Sequence, residues 1–324
     1  MMRRRKLLSL LAGAAALPAL APVARADTYP LRPVHIIVGF PPGAASDINA
    51  RLIGDWLSQK LGQQFIVDNR PGAGSNIGAE IALHAPADGY TLLLVTPANA
   101  VNATLYTNLN FDFVRDTAAV AGIMRVPLVM EVTPAFPAKT VAEFIAYAKA
   151  NPGKINFASS GNGTGSHVAA ELFKIMTGVD MIHVPYRGPA QALTDLISGR
   201  VQVMFDVLTS SIAHIRAGEV RALAVTTAAR SAVLPDLPTV GDAVPGYEAS
   251  GWAGVGAPKD TPADVIGRLN IAINAAFADA NMVVQLANLG GQPMPTTPAA
   301  FGTFIADETA KWAKVVKFAN IKVD

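Results

Sequence analysis

Short runs of β-branched residues alternate with longer amphipathic runs along most of the chain. The first pair is the clearest. Residues 34–38 form an apolar run typical of a buried strand, and residues 46–61 repeat apolar side chains at intervals of three and four. Gly62 follows where a helix would end. This alternation predicts parallel strands covered by helices, because parallel neighbours need a long crossover that a helix supplies.

The alternation restarts at Val141, which indicates a second domain. Residues 126–132 are a long apolar run with no helical run beside it, and residues 251–256 (GWAGVG) predict a strand that other groups approach closely. The last two helical runs, 283–289 and 299–316, have no substantial strand of their own, so we expect them to pack on the first sheet. The chain would then cross twice between two α/β domains with mainly parallel sheets: 27–127 with 251–324, and 128–250.

The first 26 residues have the three parts of a signal peptide. Four basic residues (3–6) precede an apolar stretch (7–23), and residues 24–26 (ARA) match a cleavage site. We expect cleavage after Ala26 and export, because two prolines and the small-residue site argue against a retained membrane anchor. Residues 4–8 (RRKLL) resemble a twin-arginine signal, so the Sec and twin-arginine routes both stay open.

Removing this leader reverses the sign of the charge. It holds five basic residues and no acidic ones, so the formal net charge changes from +2 for the chain to −3 for the mature protein. The remaining Lys and Arg residues are scattered, which argues against nucleic acid as a partner. The chain has no cysteine, and its five histidines lack the spacing of a zinc site. We expect no metal and no cofactor.

Four loops each follow the predicted end of a strand and precede a helix: residues 39–46, 70–76, 96–99 and 159–166. Ligands of open parallel sheets bind at that edge. Helix N-termini there present free N–H groups and a partial positive charge, which suits a carboxylate, phosphate or sulfate. Turn chemistry alone explains any single loop of this kind. Four such loops that face a common cleft, however, favour a binding site for a small anion.

The candidate ligand-binding residues come from these loops and from the end of one later strand. Neutral N–H and O–H donors can hold a carboxylate reversibly without a fixed arginine. His167 could instead cap or pack, Asp47 could brace its loop, and Asp206 could orient a ligand hydroxyl or ammonium group or cap a turn. The candidates are Phe40, Ala44, Ser46, Asp47, Ser75, Asn76, Thr96, Asn99, Ser160, Thr164, His167 and Asp206.

Enzyme motifs are weak in this sequence. Residues 161–165 (GNGTG) lack the GxGxxG spacing, and neither a P-loop nor a GxSxG elbow occurs. Ser160, His167 and Asp206 could be drawn as a hydrolase triad, but any chain of this length offers such a trio. We expect no catalytic residue. An exported hydrolase or transferase that uses Ser160 and His167 remains the alternative.

Several motifs together resemble the Bug family, the periplasmic solute-binding proteins of tripartite tricarboxylate transporters. The resemblance covers nearly the whole mature chain. Its motifs are residues 34–43 (VHIIVGFPPG), 69–78 (NRPGAGSNIG), 87–92 (ADGYTL), 184–188 (VPYRG), 192–196 (ALTDL) and 203–206 (VMFD).

This resemblance implies a two-domain periplasmic-binding-protein fold, the Venus flytrap, which closes on its ligand. It implies a carboxylic acid as ligand (a di- or tricarboxylate, an amino acid or an aromatic acid) and the permease subunits of a tripartite tricarboxylate transporter as partner. We expect a monomer. The implied ligand contacts lie after Phe40 and Arg70 and around residues 160–164. Ala44 replaces a second glycine of the family pattern, so its methyl could narrow the carboxylate site. A ligand sensor of the same fold is a further alternative.

Overall fold

The structure is a computed structural model and describes residues 29–322, so the signal peptide predicted over residues 1–26 lies outside the described residues. Ten strands and eleven α-helices occur in the described part. The strands are β1 (Val34–Val38), β2 (Phe65–Asn69), β3 (Thr91–Val95), β4 (Thr117–Val132), β5 (Asn156–Ser159), β6 (Ile182–Pro185), β7 (Val203–Val207), β8 (Arg221–Val225), β9 (Ser250–Pro258) and β10 (Gln292–Pro293). The helices are α1 (Ala45–Leu61), α2 (Asn76–Leu83), α3 (Pro97–Leu105), α4 (Phe113–Asp116), α5 (Val141–Ala150), α6 (Gly165–Thr177), α7 (Pro189–Ile197), α8 (Leu208–Ala217), α9 (Ala263–Ala275), α10 (Ala280–Asn288) and α11 (Pro298–Phe318).

The strands form one hydrogen-bonded sheet in the order β2-β1-β3-β9-β4-β7-β5-β6, with β8 and β10 paired to β4. Its outer groups are parallel: β1 pairs with β2 and β3, and β5 pairs with β6 and β7. The pairs made by β4 and β9 are antiparallel. The parallel pairing predicted from the strand–helix alternation therefore describes the outer groups, and the sheet as a whole is mixed. The difference arises because β4 and β9 do not belong to strand–helix–strand units.

Two strands, β4 and β9, carry the chain between the outer groups. β4 pairs with β9 as far as Pro127, which lies opposite Ser250, and from Leu128 onward it pairs with β7. Both strands thus change surroundings at the same place. We call the elements before Pro127 and after Ser250 the first half, and the elements between them the second half. The domain division at 127/128 and 250/251 stays a prediction.

The C-terminal helix α11 covers the junction of the halves. It packs on β4, α3 and α9, and also on α6 of the second half. Phe301 on this helix is fully buried, and a Cβ added to Gly254 of β9 would collide with its ring. The close approach predicted for residues 251–256 is therefore present, and it explains why β9 is rich in glycine. Among the described residues, no helix combines the length and the apolar character that crossing a membrane requires.

Candidate functional site: a cavity between the two halves

A cavity of about 420 Å³ lies where the two halves meet. The N-termini of α1, α3 and α6 and the end of β7 open onto it, and β9 and α11 close it. Most of the residues that line it are apolar or small. Of the described residues in its wall, Asp206 alone has an ionisable side chain. An anion in this cavity would therefore meet backbone N–H groups and hydroxyls instead of a basic side chain.

Seven of the twelve predicted ligand-binding residues line this cavity: Phe40, Ala44, Ser46, Thr96, Ser160, Thr164 and Asp206. The other five lie behind its wall and are buried: Asp47, Ser75, Asn76, Asn99 and His167. Their side chains bond to the loops and helices that form the wall, as described below. A direct ligand contact by any of the twelve stays a prediction.

The N-terminus of α1 forms the first part of the wall. Its N-cap residue is Ala44, which has no side chain that could bond to the first turn. Asp47 braces the loop before it: the carboxylate accepts hydrogen bonds from Gly43 N–H (2.9 Å), from Arg51 (Nη2, 2.9 Å) and from Asn69 Nδ2 (2.9 Å). The bond from Arg51 is the main cause that lowers the pKa of Asp47 to about 2. The carboxylate is therefore ionised and neutralised by Arg51, and it shapes the loop without entering the cavity.

Helix α3 brings Thr96 to the cavity and keeps the loop at residues 70–76 behind it. Asn99 Oδ1 accepts the N–H of Thr96 (2.9 Å), and Asn99 Nδ2 lies 3.4 Å from Ser75 Oγ. Asn102 Nδ2 donates to Asn76 Oδ1 (3.1 Å). The sequence placed a loop at residues 96–99 ahead of a helix, and in the structure α3 already begins at Pro97. The polar residues of the 70–76 loop thus bond to α3 and do not line the cavity. The N-terminus of α3 lines the cavity instead.

The N-terminus of α6 forms the facing wall. Its N-cap residue, Thr164, accepts no backbone N–H of the first turn with its side chain, although its hydroxyl lies 3.0 Å from Ser166 Oγ. Instead Thr164 Oγ1 donates to the carbonyl of Gly161 (2.7 Å), and Ser166 Oγ accepts the N–H of Ser160 (2.8 Å). Thr164, Gly165 and Ser166 all line the cavity. The first turn of α6, like that of α1, therefore reaches the cavity without a side-chain cap.

His167 supports this loop from behind. Gly163 N–H donates to His167 Nδ1 (3.1 Å), and the ring stacks on His183 with centroids 3.7 Å apart. His183 Nε2 lies 2.6 Å from Ser159 Oγ. Burial lowers the pKa of His167 to about 3 and the pKa of His183 to about 4. Both rings are therefore neutral near pH 7.

The hydrogen bond from Gly163 also bears on the triad considered above. Because Nδ1 of His167 accepts that N–H, the neutral ring carries its hydrogen on Nε2. A ring in this form has no free nitrogen with which to take a proton from Ser160. Asp206 bonds to Ser211 on α8 (3.2 Å). The three residues thus have separate partners in the structure.

Two tryptophans give the cavity an apolar surface. Trp252 on β9 and Trp312 on α11 both line it, and both indole N–H groups donate to the same oxygen of Glu308, at 3.0 Å each. Lys311 pairs with the other oxygen of Glu308. The buried carboxylate is therefore matched on both oxygens, and it fixes the two indoles relative to each other.

Sequence reasoning missed these tryptophans and most of the apolar lining. The missed residues include Asn49, Pro97, Ala98, Val101, Val126, Leu128, Val168, Val207, Trp252 and Trp312. Strand and helix periodicity marks such side chains as buried, but it does not distinguish a core from a cavity wall. Across residues 29–322, no cluster of three or more His, Asp or Glu residues is placed to hold a metal ion.

A cavity between two α/β halves that are joined by crossing strands defines a solute-binding protein of the hinged type. The family model for the tripartite tricarboxylate transporter family receptor matches residues 49–321. The chain therefore belongs to this receptor family. One relative is Protein BugT of Bordetella pertussis, which is 38% identical over 306 residues, or 94% of each chain.

Solved structures agree with this assignment. Rpa4515 of R. palustris, solved with adipate, is 40% identical and has a TM-score of 0.75, covering 91% of this chain and 99% of its own. The periplasmic binding protein BugD is 31% identical, with a TM-score of 0.71 over 91% and 99%. MatC of Rhodopseudomonas palustris, solved with bound malate, is 30% identical, with a TM-score of 0.71 over 89% and 100%. The predicted α/β periplasmic-binding-protein fold and the resemblance to the Bug family are both confirmed.

Proposed function

We propose that this protein is a periplasmic receptor that captures a small carboxylic acid between its two halves and delivers it to the permease of a tripartite tricarboxylate transporter. The observation that carries the proposal is the pair of helices, α1 and α6, whose N-termini reach one cavity from opposite halves without a side-chain cap. Adipate and malate in Rpa4515 and MatC support a carboxylic acid as the ligand.

The helix ends supply the attraction that the net charge does not. Each N-terminus presents unpaired N–H groups and the equivalent of roughly half a positive charge. A carboxylate between α1 and α6 would bond to both halves at once and so favour the closed arrangement over an open one. A cavity of about 420 Å³ has room for a small organic acid. Pro127, Leu128 and Ser250 lie where the two crossing strands would bend.

The leader and the family support the location and the partner. A signal peptide cleaved after Ala26 would place the mature protein in the periplasm. The family is defined by receptors of tripartite transporters. Uptake of a radiolabelled ligand into vesicles that carry the permease should require this receptor. Binding without any such uptake would leave a receptor that signals to another partner.

Ligand capture can be tested with two independent signals. Binding to the native state raises the melting temperature, so a screen of mono-, di- and tricarboxylates on the mature protein should give at least one stabilising acid. The same acid should change tryptophan fluorescence, because Trp252 and Trp312 line the cavity. Trp56 donates its indole N–H to Ala272 O, away from the cavity, so Trp56→Phe removes the background without removing the reporters. If no acid changes either signal, the proposal fails.

A further inference from the structure

A pair of buried carboxyl groups lies at the second-half end of the cavity. Asp206 on β7 lines the cavity and is 1% exposed, and Glu131 on β4 is completely buried. The hydroxyl of Ser211 on α8 lies between them, with Oγ 2.8 Å from Glu131 Oε1 and 3.2 Å from Asp206 Oδ2. Two acidic side chains thus share one small hydroxyl in a buried place.

The single hydrogen of the Ser211 hydroxyl bears on the charge of the Asp206–Glu131 pair. Ser211 has one hydrogen, so it can donate to only one of the two carboxyl groups. The second contact is a hydrogen bond only if the other carboxyl group is protonated and donates to Ser211 Oγ. Within residues 29–322, no basic side chain pairs with either acid. One proton on the pair therefore makes both contacts full hydrogen bonds.

Glu131 is the better place for that proton. Its Oε2 atom is buried and has no hydrogen-bond partner in the structure, so a charge there would be unsatisfied. Burial and the nearby charge of Asp206 raise the pKa of Glu131 well above its usual value. Asp206 has three donors, the N–H of Val207 and the hydroxyls of Ser210 and Ser211, and burial raises its pKa only to about 6. The negative charge of the pair therefore lies mainly on Asp206, next to the cavity.

We propose that Asp206 is a specificity-determining residue that selects carboxylic acids whose carbon chain carries a hydroxyl or ammonium donor, while Glu131 holds the proton of the pair. This inference rests on the proposed function. The ligand carboxylate would bind the helix N-termini, and its donor would point to Asp206. A second carboxylate at the Asp206 end would meet a like charge, with no basic side chain in the cavity wall to offset it.

Matched acids test this selection on the unmodified mature protein. Succinate, malate and aspartate differ only in hydrogen, hydroxyl or ammonium at one carbon, and propionate, lactate and alanine form the corresponding smaller set. Titration calorimetry at about pH 7.5 should show at least one donor-bearing acid bound about tenfold or more tightly than its donor-free partner, because a hydrogen bond to a charged group supplies a difference of that size. The malate and aspartate arms separate a hydroxyl from an ammonium donor.

The pH dependence has a definite sign. Asp206 accepts the donor in its ionised form, and its pKa is about 6. Glu131 is the other titratable group that faces it. The preference for the donor-bearing acid should therefore shrink between about pH 7.5 and about pH 5.5, measured as the ratio to the donor-free partner. If this affinity ratio instead grows on acidification, the ligand presents an anionic group to Asp206 and not a donor. That result would overturn the inference.

A matched pair of variants assigns the effect to Asp206. Asp206→Asn should reduce the preference, because its amide oxygen still accepts a hydrogen bond but carries no charge, and it should still bind the donor-free acid. Asp279→Asn is the control, because Asp279 only caps α10 through Met282 N–H and asparagine caps as well as aspartate. If Asp206→Asn does not fold, the pH series on the unmodified protein decides. Tight binding of donor-free acids with no preference overturns this inference and leaves the proposed function intact, whereas no binding of any acid contradicts the proposed function itself.

Discussion

The two walls of the cavity present similar donors but are supported by opposite chemistry. The first wall, at the N-terminus of α1, rests on ionised side chains: Asp47 is paired with Arg51, whose side chain is 50% exposed to solvent. The second wall, at the N-terminus of α6, rests on the neutral, stacked rings of His167 and His183. Water can solvate Arg51, so a charge is tolerated there. His167 is buried and His183 is partly buried, so burial keeps both rings uncharged.

Because their supports differ, the two walls should lose stability at different pH values. The pKa of Asp47 is lowered from 3.8 to about 2, so its stabilising contribution is complete above about pH 4 and is lost as the pH falls from there to about 2. The two histidines affect stability at a higher pH than Asp47 does. Their pKa values are lowered in the folded protein, whereas in the unfolded chain the same rings begin to bind protons near pH 6.5. Mild acid should therefore weaken the second wall first.

The largest effect should come from removing the ionised support. Asp47→Ala leaves Gly43 N–H, Asn69 and Arg51 without their common acceptor. We expect the free energy of unfolding at pH 7 to fall by about 3 kcal/mol, roughly 1 kcal/mol for each hydrogen bond. Urea denaturation measures this. Asp55→Ala on the same helix is the control, since Asp55 is exposed. Equal losses in the two variants would mean that Asp47 acts only as a helix acid.

The second effect concerns the histidines. Their folded pKa values lie below 6.5, so folding stability is full above that pH and falls below it, by about 1.4 kcal/mol per pH unit for each histidine. Asp206 and Glu131 work in the opposite sense because their pKa values are raised. The change in the free energy of unfolding with pH is therefore compared between a variant and the unmodified protein. Between about pH 6.5 and about pH 5, His183→Gln should lose about 1 kcal/mol less than the unmodified protein, because His183 is only half-buried and water screens part of the effect.

The control for this measurement is His84→Gln, which replaces an exposed histidine outside both walls. It should leave the pH dependence of unfolding as it is in the unmodified protein. If His183→Gln behaves like His84→Gln, the second wall does not rest on neutral rings, and the contrast between the walls is lost.

The α/β fold was predictable where local signals suffice. Two loops, residues 39–46 and 159–166, follow short, mostly apolar strands and lead into helices. Their places at helix N-termini could therefore be inferred from the sequence. The start of β4 could not, because residues 117–122 are mostly small and carry no strand pattern. A Cβ on Gly122 would lie 2.7 Å from the carbonyl of Met294. Packing against a segment distant in sequence therefore determines which residues are found there.

The cavity was predictable to a similar extent. The loops contributed six of the predicted residues to its wall and the end of β7 contributed Asp206, because strand ends and turn residues mark that edge. The loop at residues 70–76 has a similar composition but lies behind α3, because its polar side chains bond to that helix. Trp252 and Trp312 meet at Glu308 only through the packing of α11 on β9. No local sequence pattern predicts this contact between β9 and α11.

Closure across the cavity gives the third effect. Gly163 of the second wall has φ +71°, and a Cβ there would lie 2.9 Å from Leu105 Cδ2 of the first half. Gly178 has φ +70° with open space around it. Gly163→Ala and Gly178→Ala should both lose about 1 kcal/mol of stability, because alanine is strained at positive φ. Gly163→Ala alone should also bind ligand more weakly, by about tenfold, because its methyl holds the halves apart. Equal affinities in calorimetry would contradict this.

The smallest effect separates hydroxyls that bind the ligand from hydroxyls that hold the wall. Thr164 Oγ1 already donates its hydrogen to the carbonyl of Gly161 (2.7 Å), whereas Ser46 lies in the first turn of α1 and lines the cavity. Ser46→Ala should therefore lower ligand affinity about fivefold, or about 1 kcal/mol, with little change in the melting temperature. Thr164→Val should do the reverse, because it removes the bond that holds the 161–164 turn. If both variants lose affinity equally, then both walls offer hydroxyls to the ligand, and only their supports differ.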